Sequence, residues 1–302
     1  MRSAYLGTSA FAATVLRRLA ESDHEVALVV TPPDSKRGRG RKLTPPPCAE
    51  TATLLGLPLH QSANVNEGPS LAAIEGAGAD AVAVCAFGQL IREPLLGRGI
   101  LNVHPSLLPR WRGAAPIERA IMAGDEVTGT AIMRLSEGLD SGPVALVEET
   151  PIGEGEYFDE VSERLAELSG GLLVRALDLA ARDGLDFSEQ DEAGATYAEK
   201  IGPEDRRLDP SRPAVELARA VRALNPHIGT FVELPGQQRL GVRRAHAASD
   251  GPPQGEFAPE EGEFVLGTGE GGLVLELVQP PGKRAMSGEE FLRGHEPPAR
   301  SA

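Results

Sequence analysis

Cysteine is nearly absent from this chain. Only Cys48 and Cys85 occur among 302 residues, in unlike contexts, so neither a disulfide framework nor a cysteine-based zinc site is indicated, and a reducing compartment, the cytoplasm, is expected. Long hydrophobic runs are missing as well. None approaches the ~18–20 residues of a membrane span. Met1-Arg2-Ser3-Ala4 passes straight into a strand-like segment, without the basic stretch and apolar core of an export signal. No membrane association is expected. Gly7-Thr8-Ser9 supplies one glycine of a G-x-G-x-x-G, and neither a Walker lysine motif nor H-E-x-x-H occurs. Dinucleotide, P-loop and zinc-peptidase chemistry are therefore not expected, and no metal is.

Positive charge is in short supply overall, with 30 Lys and Arg against 44 Asp and Glu and a formal charge of −14. Spread evenly, that balance would argue against a nucleic-acid partner. It is not even: residues 1–50 carry a net +3, residues 51–204 a net −15 and residues 205–302 a net −2. Five of the seven residues 36–42 are basic, namely Lys36, Arg37, Arg39, Arg41 and Lys42, with Gly38 and Gly40 between them. A local patch of that kind can neutralise phosphates while the acidic body faces away.

Short apolar runs alternate with helical patterns through the first half: 4–6 then 11–19, 26–30 then 48–55, 81–85, 100–103 then 115–122, and 130–133. Such alternation, with β-branched residues in the short runs, predicts an α/β domain of three layers around a mostly parallel sheet. A long amphipathic helix is expected over 158–182, with Val161, Leu165, Leu168, Leu172 and Leu179 on one stripe and Gly170-Gly171 weakening it. Residues 190–209 are polar and read as a linker. A helix over 213–224 ends at Asn225-Pro226. The segments 231–234, 240–245, 263–266 and 273–278, separated by Gly/Pro turns, predict a small antiparallel β-barrel. The expected division is a domain over 1–184, a linker over 185–207 and a second domain over 208–302. Residues 251–262 and 296–302 are expected to be mobile, and no internal repeat is present.

In parallel α/β sheets, ligands sit at the carboxyl ends of strands. The run 100–103 leads into Asn102-Val103-His104, the run 81–85 is followed by Phe87-Gly88-Gln89, and Asp140 lies in the glycine-bearing segment 137–142 after another strand candidate. Three loops thus converge on one crevice if the sheet forms. An amide donor, an imidazole and a carboxylate are what acyl transfer to an amine requires. The amide holds the developing oxyanion, the imidazole moves the proton and the carboxylate orients the imidazole. Ser106 lies two residues from His104, too near along the chain to face it, so direct transfer is expected in place of an acyl-enzyme.

The run Asn102-Val103-His104-Pro105-Ser106-Leu107-Leu108-Pro109 with its downstream Asp140 resembles the active-site signature of the folate-dependent formyltransferases. Its extension Arg110-Trp111-Arg112-Gly113-Ala114-Ala115-Pro116-Ile117, together with Gly38-Arg39-Gly40-Arg41-Lys42-Leu43, is similar to the branch of that family acting on methionyl-tRNA. The likeness continues in Thr196-Tyr197-Ala198-Glu199-Lys200-Ile201 and Ala223-Leu224-Asn225-Pro226.

That resemblance implies a Rossmann-like catalytic domain, a C-terminal OB-like barrel, 10-formyltetrahydrofolate as formyl donor, initiator methionyl-tRNA as acceptor, and a monomer. It implies Asn102, His104 and Asp140 as catalytic residues, and Phe87, Gly88, Gln89, Leu90, Ser106, Leu107, Leu108 and Pro109 as the folate site. Lys36, Arg37, Arg39, Arg41, Lys42 and Lys200 are implied for tRNA, with Arg243 and Arg244 as further basic residues of the barrel. Two segments depart from the pattern: Leu208-Asp209-Pro210 stands where a tryptophan-containing stretch is usual, and Asn225-Pro226-His227-Ile228-Gly229 replaces Asn-Pro-Trp-Pro-Gly. Formyl transfer to a sugar nucleotide or another amine, hydrolysis of 10-formyltetrahydrofolate, and RNA binding without catalysis remain open, as does the resting protonation state of His104.

Overall fold

A computed structural model describes residues 1–37, 40–182, 184–260, 262–295 and 300–301. In chain order the elements are β1 (Arg2–Gly7), α1 (Ala10–Ala20), β2 (Glu25–Thr31), β3 (Ser35–Arg37), β4 (Lys42–Thr44), α2 (Pro47–Leu54), β5 (Leu59–Gln61), α3 (Gly68–Gly76), β6 (Ala81–Cys85), β7 (Leu101–His104), β8 (Arg112–Gly113), α4 (Pro116–Ala123), β9 (Val127–Arg134), β10 (Val144–Pro151) and α5 (Phe158–Arg182). After these come β11 (Tyr197–Ala198), α6 (Ala214–Leu224), β12 (Thr230–Leu234), β13 (Gln238–Ala248), β14 (Phe257–Glu260), β15 (Glu263–Gly267), β16 (Gly272–Gln279), β17 (Met286–Ser287) and α7 (Gly288–Gly294).

The chain folds into two compact units. The first comprises Met1–Gly113, Val127–Pro151 and Ser162–Tyr197; the second comprises Ala114–Glu126, Ile152–Val161 and Ala198–Ala302. The second unit thus recruits α4 and the residues around Tyr157 from between segments of the first unit. Tyr157 and Met122 pack on its core, and Arg119 of α4 holds Asp205 through two hydrogen bonds of 2.6 and 3.0 Å. Ala114–Glu126 lies between β8 and β9, and Ile152–Val161 between β10 and the body of α5, so the two units do not follow chain order.

In the first unit, seven strands run in the order β10-β9-β7-β6-β1-β2-β5. The four pairings from β7 to β5 are parallel, and the β9–β10 hairpin adds an antiparallel edge. Alternation along each strand buries both faces. Tyr5, Val29, Ala83, Cys85, Leu101 and Val103 join α1 and α5 in one core, while Ala4, Leu6, Leu28, Val30, Val82 and Val84 join Ile74 of α3 in another. These are the three layers that the sequence predicts, since strands covered by helices on both faces read as continuous apolar runs.

Helix α5 passes unbroken through Gly170-Gly171. A Cβ at Gly170 would come within 2.5 Å of the Arg18 Cβ, so that glycine is the close-approach point between α5 and α1. Cys48 and Cys85 are free and buried. Burial pushes the Cys85 thiol up to about 12 and raises that of Cys48 too, so neither supplies a thiolate.

The second unit is an antiparallel sheet paired β12-β13-β16-β15-β14 with β17 on β16, and α6 packs on it with Leu217 and Val221 buried. The register of β13 shifts on both sides of Arg244, the irregularity by which a long strand bends. Residues 251–260, expected to be mobile, instead contain β14, whose Phe257 is buried and pairs with Leu266; the Gly and Pro content there marks turns between paired strands. Glu261, 296–299 and Ala302, also within segments expected to be mobile, lie outside the described residues. The unusual Leu208 is a core residue, and the His227 ring stacks on Phe158 at 3.7 Å while its Nε2 meets Glu118 at 3.1 Å.

Candidate active site

Strand β7 delivers Asn102 and His104 to the carboxyl edge of the parallel sheet, with Val103 between them turned into the core. Period-2 alternation puts the two polar side chains on the same side. Both belong to the end of the strand and are buried, at 8% and 4% exposure. Asp140 reaches them from the loop after β9, held at a φ of +45°. Its Oδ1 accepts from Asn102 Nδ2 at 3.3 Å, its Oδ2 accepts from the Gly113 backbone N–H at 2.9 Å, and the same oxygen lies 3.5 Å from His104 Nδ1.

The imidazole is pinned on its other side, where Nε2 meets the Trp111 carbonyl at 2.9 Å. A carbonyl only accepts, so Nε2 carries the hydrogen and Nδ1 is the ring atom free to exchange a proton. An Nδ1 so placed, beside a carboxylate, can take up a proton and leave an imidazolium next to a negative charge. Asn102 keeps a second N–H beyond the one given to Asp140, which suits it to an oxyanion. Ser106 is spent: its hydroxyl donates to the Arg110 carbonyl at 2.7 Å and it is fully buried, which excludes a poised serine nucleophile.

Two further residues connect to this centre by hydrogen bonds. Arg112 is 1% exposed, with its Nη groups on the Glu192 carboxylate at 3.0 and 2.8 Å and its Nε donating to Gln190 Oε1 at 3.0 Å. Those hydrogen bonds hold the Glu192 carboxyl below the usual carboxylate range. Gln190 Nε2 in turn donates to the backbone carbonyls of Asp140 and Gly142, at 2.9 and 2.6 Å. The signature run by itself gives Arg112 no role, and the polar composition around Gln190 reads as a linker. The available signal is the second arginine of Arg110-Trp111-Arg112, set directly before Gly113.

The segments expected to hold folate follow β6 and β7, adjacent strands ending on the same edge. Phe87 is buried, and its carbonyl accepts from the Thr8 hydroxyl at 2.6 Å. Gly88 lies exposed at a φ of +78°, a conformation that favours glycine, and Leu90 is 66% exposed. The Gln89 side chain is committed elsewhere, accepting from the Val65 N–H and donating to the Ser62 carbonyl, both at 2.8 Å, so it braces the neighbouring loop. Leu107, Leu108 and Pro109 are half-buried beside the fully buried Ser106.

Of the basic residues, Lys36 and Lys42 lie in the β3–β4 hairpin, which leaves the same sheet edge after β2, and Lys36, Arg41 and Lys42 are exposed. Gly38 and Arg39 lie outside the described residues, as does the side chain of Arg37. Lys200 is exposed in the second unit. There Arg243 and Arg244 line a cleft of about 660 Å³ with Tyr157, Asn225 and Gln279, Arg244 standing 5.1 Å over the Tyr157 ring. Among the described residues no group of three or more His, Cys, Asp or Glu side chains is arranged to hold a metal ion, and no helix is long and apolar enough to cross a membrane.

Residues 1–177 match the formyl transferase family and residues 200–296 the formyl transferase C-terminal domain. The chain is 42% identical over 306 residues to a methionyl-tRNA formyltransferase of Phenylobacterium zucineum, covering 99% of this chain and 98% of that protein. It is 38% identical over 300 residues to one of Marinobacter nauticus, covering 97% and 96%. Among solved structures, HypX of Aquifex aeolicus in complex with tetrahydrofolic acid superposes with a TM-score of 0.68 at 18% identity over 98% of this chain, which spans about half of HypX at 48%. The sugar 3N-formyl transferase WlaRD does so with a TM-score of 0.66 at 13% identity, covering 94% of this chain and 99% of WlaRD. The structural likenesses carry the fold, and the long alignments at about 40% identity carry the kinship: the chain belongs to the methionyl-tRNA formyltransferase family.

Proposed function

We propose that this protein transfers the formyl group of 10-formyltetrahydrofolate to the α-amine of initiator methionyl-tRNA, giving N-formylmethionyl-tRNA for translation initiation. The carrying observation is the junction of Asn102, His104 and Asp140 at the carboxyl edge of the sheet, in a chain whose near-full-length relatives are named for this activity. Transfer is direct. The amine nitrogen bonds to the formyl carbon, and the electron pair moves onto the formyl oxygen, which Asn102 Nδ2 stabilises, joined by the His104 ring once its Nδ1 has taken the amine proton. Nδ1 of His104 takes the amine proton and returns it to the departing folate nitrogen, whose bond to carbon breaks as the carbonyl re-forms. Asp140 stabilises the intervening imidazolium and holds the ring in place.

In this reading residues 87–90 and 106–109 form the folate site, with backbone groups at Phe87 and Gly88, apolar contact at Leu90, Leu107, Leu108 and Pro109, and the buried Ser106 bracing the segment beneath them. The basic hairpin with Lys36, Arg37, Arg39, Arg41 and Lys42 takes the acceptor end of the tRNA, Lys200 and the 208–302 portion take its body, and residues 1–184 perform the chemistry. The protein works as a monomer in the cytoplasm. The test is formyl transfer from 10-formyltetrahydrofolate measured side by side with initiator Met-tRNA, an amino-sugar nucleotide and no acceptor. Turnover confined to Met-tRNA is expected. Comparable turnover of the amino sugar, or donor hydrolysis at the same rate without acceptor, overturns the reading.

A further inference from the structure

Asp140 is gripped at both of its ends. Its carboxylate accepts from the Asn102 amide and the Gly113 N–H, and its backbone carbonyl accepts from Gln190. Because Gln190 Nε2 also reaches the Gly142 carbonyl, one side-chain amide spans the whole bend. The bend needs outside support. Asp140 sits at a positive φ, which costs a residue with a side chain roughly 1–2 kcal/mol. A Cβ at Gly142 would run into the Arg134 carbonyl, so the return from the bend is tight.

The amide of Gln190 is itself oriented, since Arg112 Nε donates to its Oε1 and so fixes its Nε2 toward the loop. Arg112 is buried and locked to Glu192, and it directly precedes Gly113, whose N–H holds Asp140 Oδ2. Any displacement of Arg112 therefore moves both grips on Asp140 together. A tether serving stability alone could land anywhere on the loop; this one lands on the residue whose carboxylate faces His104 Nδ1.

We infer that Gln190, oriented by Arg112, is a positioning residue for formyl transfer, holding Asp140 in the left-handed bend that sets its carboxylate against His104. The inference rests on the roles given above to His104 and Asp140. Gln190→Glu is the sharpest probe, because it still accepts from Arg112 but sets a carboxylate against two carbonyl oxygens. The expected result is a kcat about tenfold lower, with KM for donor and tRNA within about twofold of wild type, since misplacement of a catalytic group acts on the chemical step. The pH profile of kcat shifts with it, as does the 15N NMR titration of the His104 ring.

The ring titration is read on the free protein, so it tests the positioning even if the acceptor proves to be another amine. Gln190→Leu repeats the measurement without added charge. Glu192→Gln, at an exposed position, loosens Arg112 and is expected to move the titration in the same direction with a smaller amplitude. An unchanged ring titration and pH profile in the folded variants overturns the inference, whether or not the melting temperature falls.

Discussion

The catalytic edge and the basic hairpin leave the same side of one sheet and are built in opposite ways. At Asp140, two carboxylate oxygens and a backbone carbonyl are all engaged, and the neighbouring Asn102 and His104 are nine-tenths or more buried. At the hairpin, three residues pair on each side of a tip, and Lys36, Arg41 and Lys42 stand in solvent. Chemistry at a formyl carbon needs donors fixed before the charge develops, because reorganising them during the reaction forfeits the stabilisation. Attraction of a polyanion needs charge and reach, and tolerates motion. The molecule assigns a constrained, hydrogen-bonded bend to the first task and exposed side chains to the second.

The comparison breaks most visibly if the locked residues prove dispensable. Asn102→Ala, His104→Ala and Asp140→Ala are each expected to lower kcat by about 10²-fold or more. Loop positions would lose no stability, but Asn102 and His104 are strand residues, so their truncation also costs about 1–3 kcal/mol by leaving buried partners unpaired. Thermal melts separate the two effects, since the variants stay folded at assay temperature. Near-normal turnover in His104→Ala would remove proton transfer through this ring.

A smaller effect is expected at the exposed end. Replacing Lys36, Arg41 and Lys42 together by alanine should flatten the dependence of log affinity for Met-tRNA on log salt by roughly 0.7–0.9 for each phosphate contact removed, while folate binding by calorimetry stays put. Arg39→Ala should act in the same sense. Identical salt slopes for wild type and the triple variant would make the hairpin an ordinary solvated loop.

Legibility in the sequence follows the same contrast. Strands with covered faces announce themselves, and the segments 26–30 and 81–85 fall inside β2 and β6. The helix over 158–182 was readable to its ends because its apolar stripe outweighs Gly170-Gly171. Asn102, His104 and Asp140 were readable as a chemical set, but the expected meeting of three loops at one edge of a parallel sheet does not hold for Asp140: β9 runs antiparallel to β7, so the aspartate comes to Asn102 and His104 by the return of the 135–143 loop and not from a shared strand end. What escaped was short or decided by distant partners. Strand β5 and helix α3 are weakly amphipathic, and β14 hides among glycines and prolines. Gln190 looks like any polar linker residue until Arg112, 78 positions away, turns it toward Asp140. Burial of an arginine is decided by its partners, and composition does not reveal it.

Asp205, a case of half-burial, sharpens the contrast between the locked aspartate and the exposed lysines. Burial alone would raise its pKa, but two hydrogen bonds from Arg119 and one from the Gly202 N–H at 2.8 Å outweigh it and hold the carboxyl below its ordinary value. A carboxyl lowered in the folded state contributes stability that is fully present above its unfolded pKa of about 3.9, and that contribution is lost as pH falls through the folded value. Both partners are about one-fifth exposed, at 18% and 22%, so solvent screens the pair only in part. Asp205→Asn should therefore cost about 1–2 kcal/mol at pH 7, less than a buried charge stripped of its partner and more than a surface pair. The gap between wild type and variant in urea unfolding should begin to narrow only below about pH 4 and close as pH falls through the lowered folded value, where the wild-type carboxyl becomes neutral. Parallel stability curves for the two proteins down to pH 3 would show that Arg119 contributes packing and geometry there, and that the grading of electrostatic strength with burial stops short of this pair.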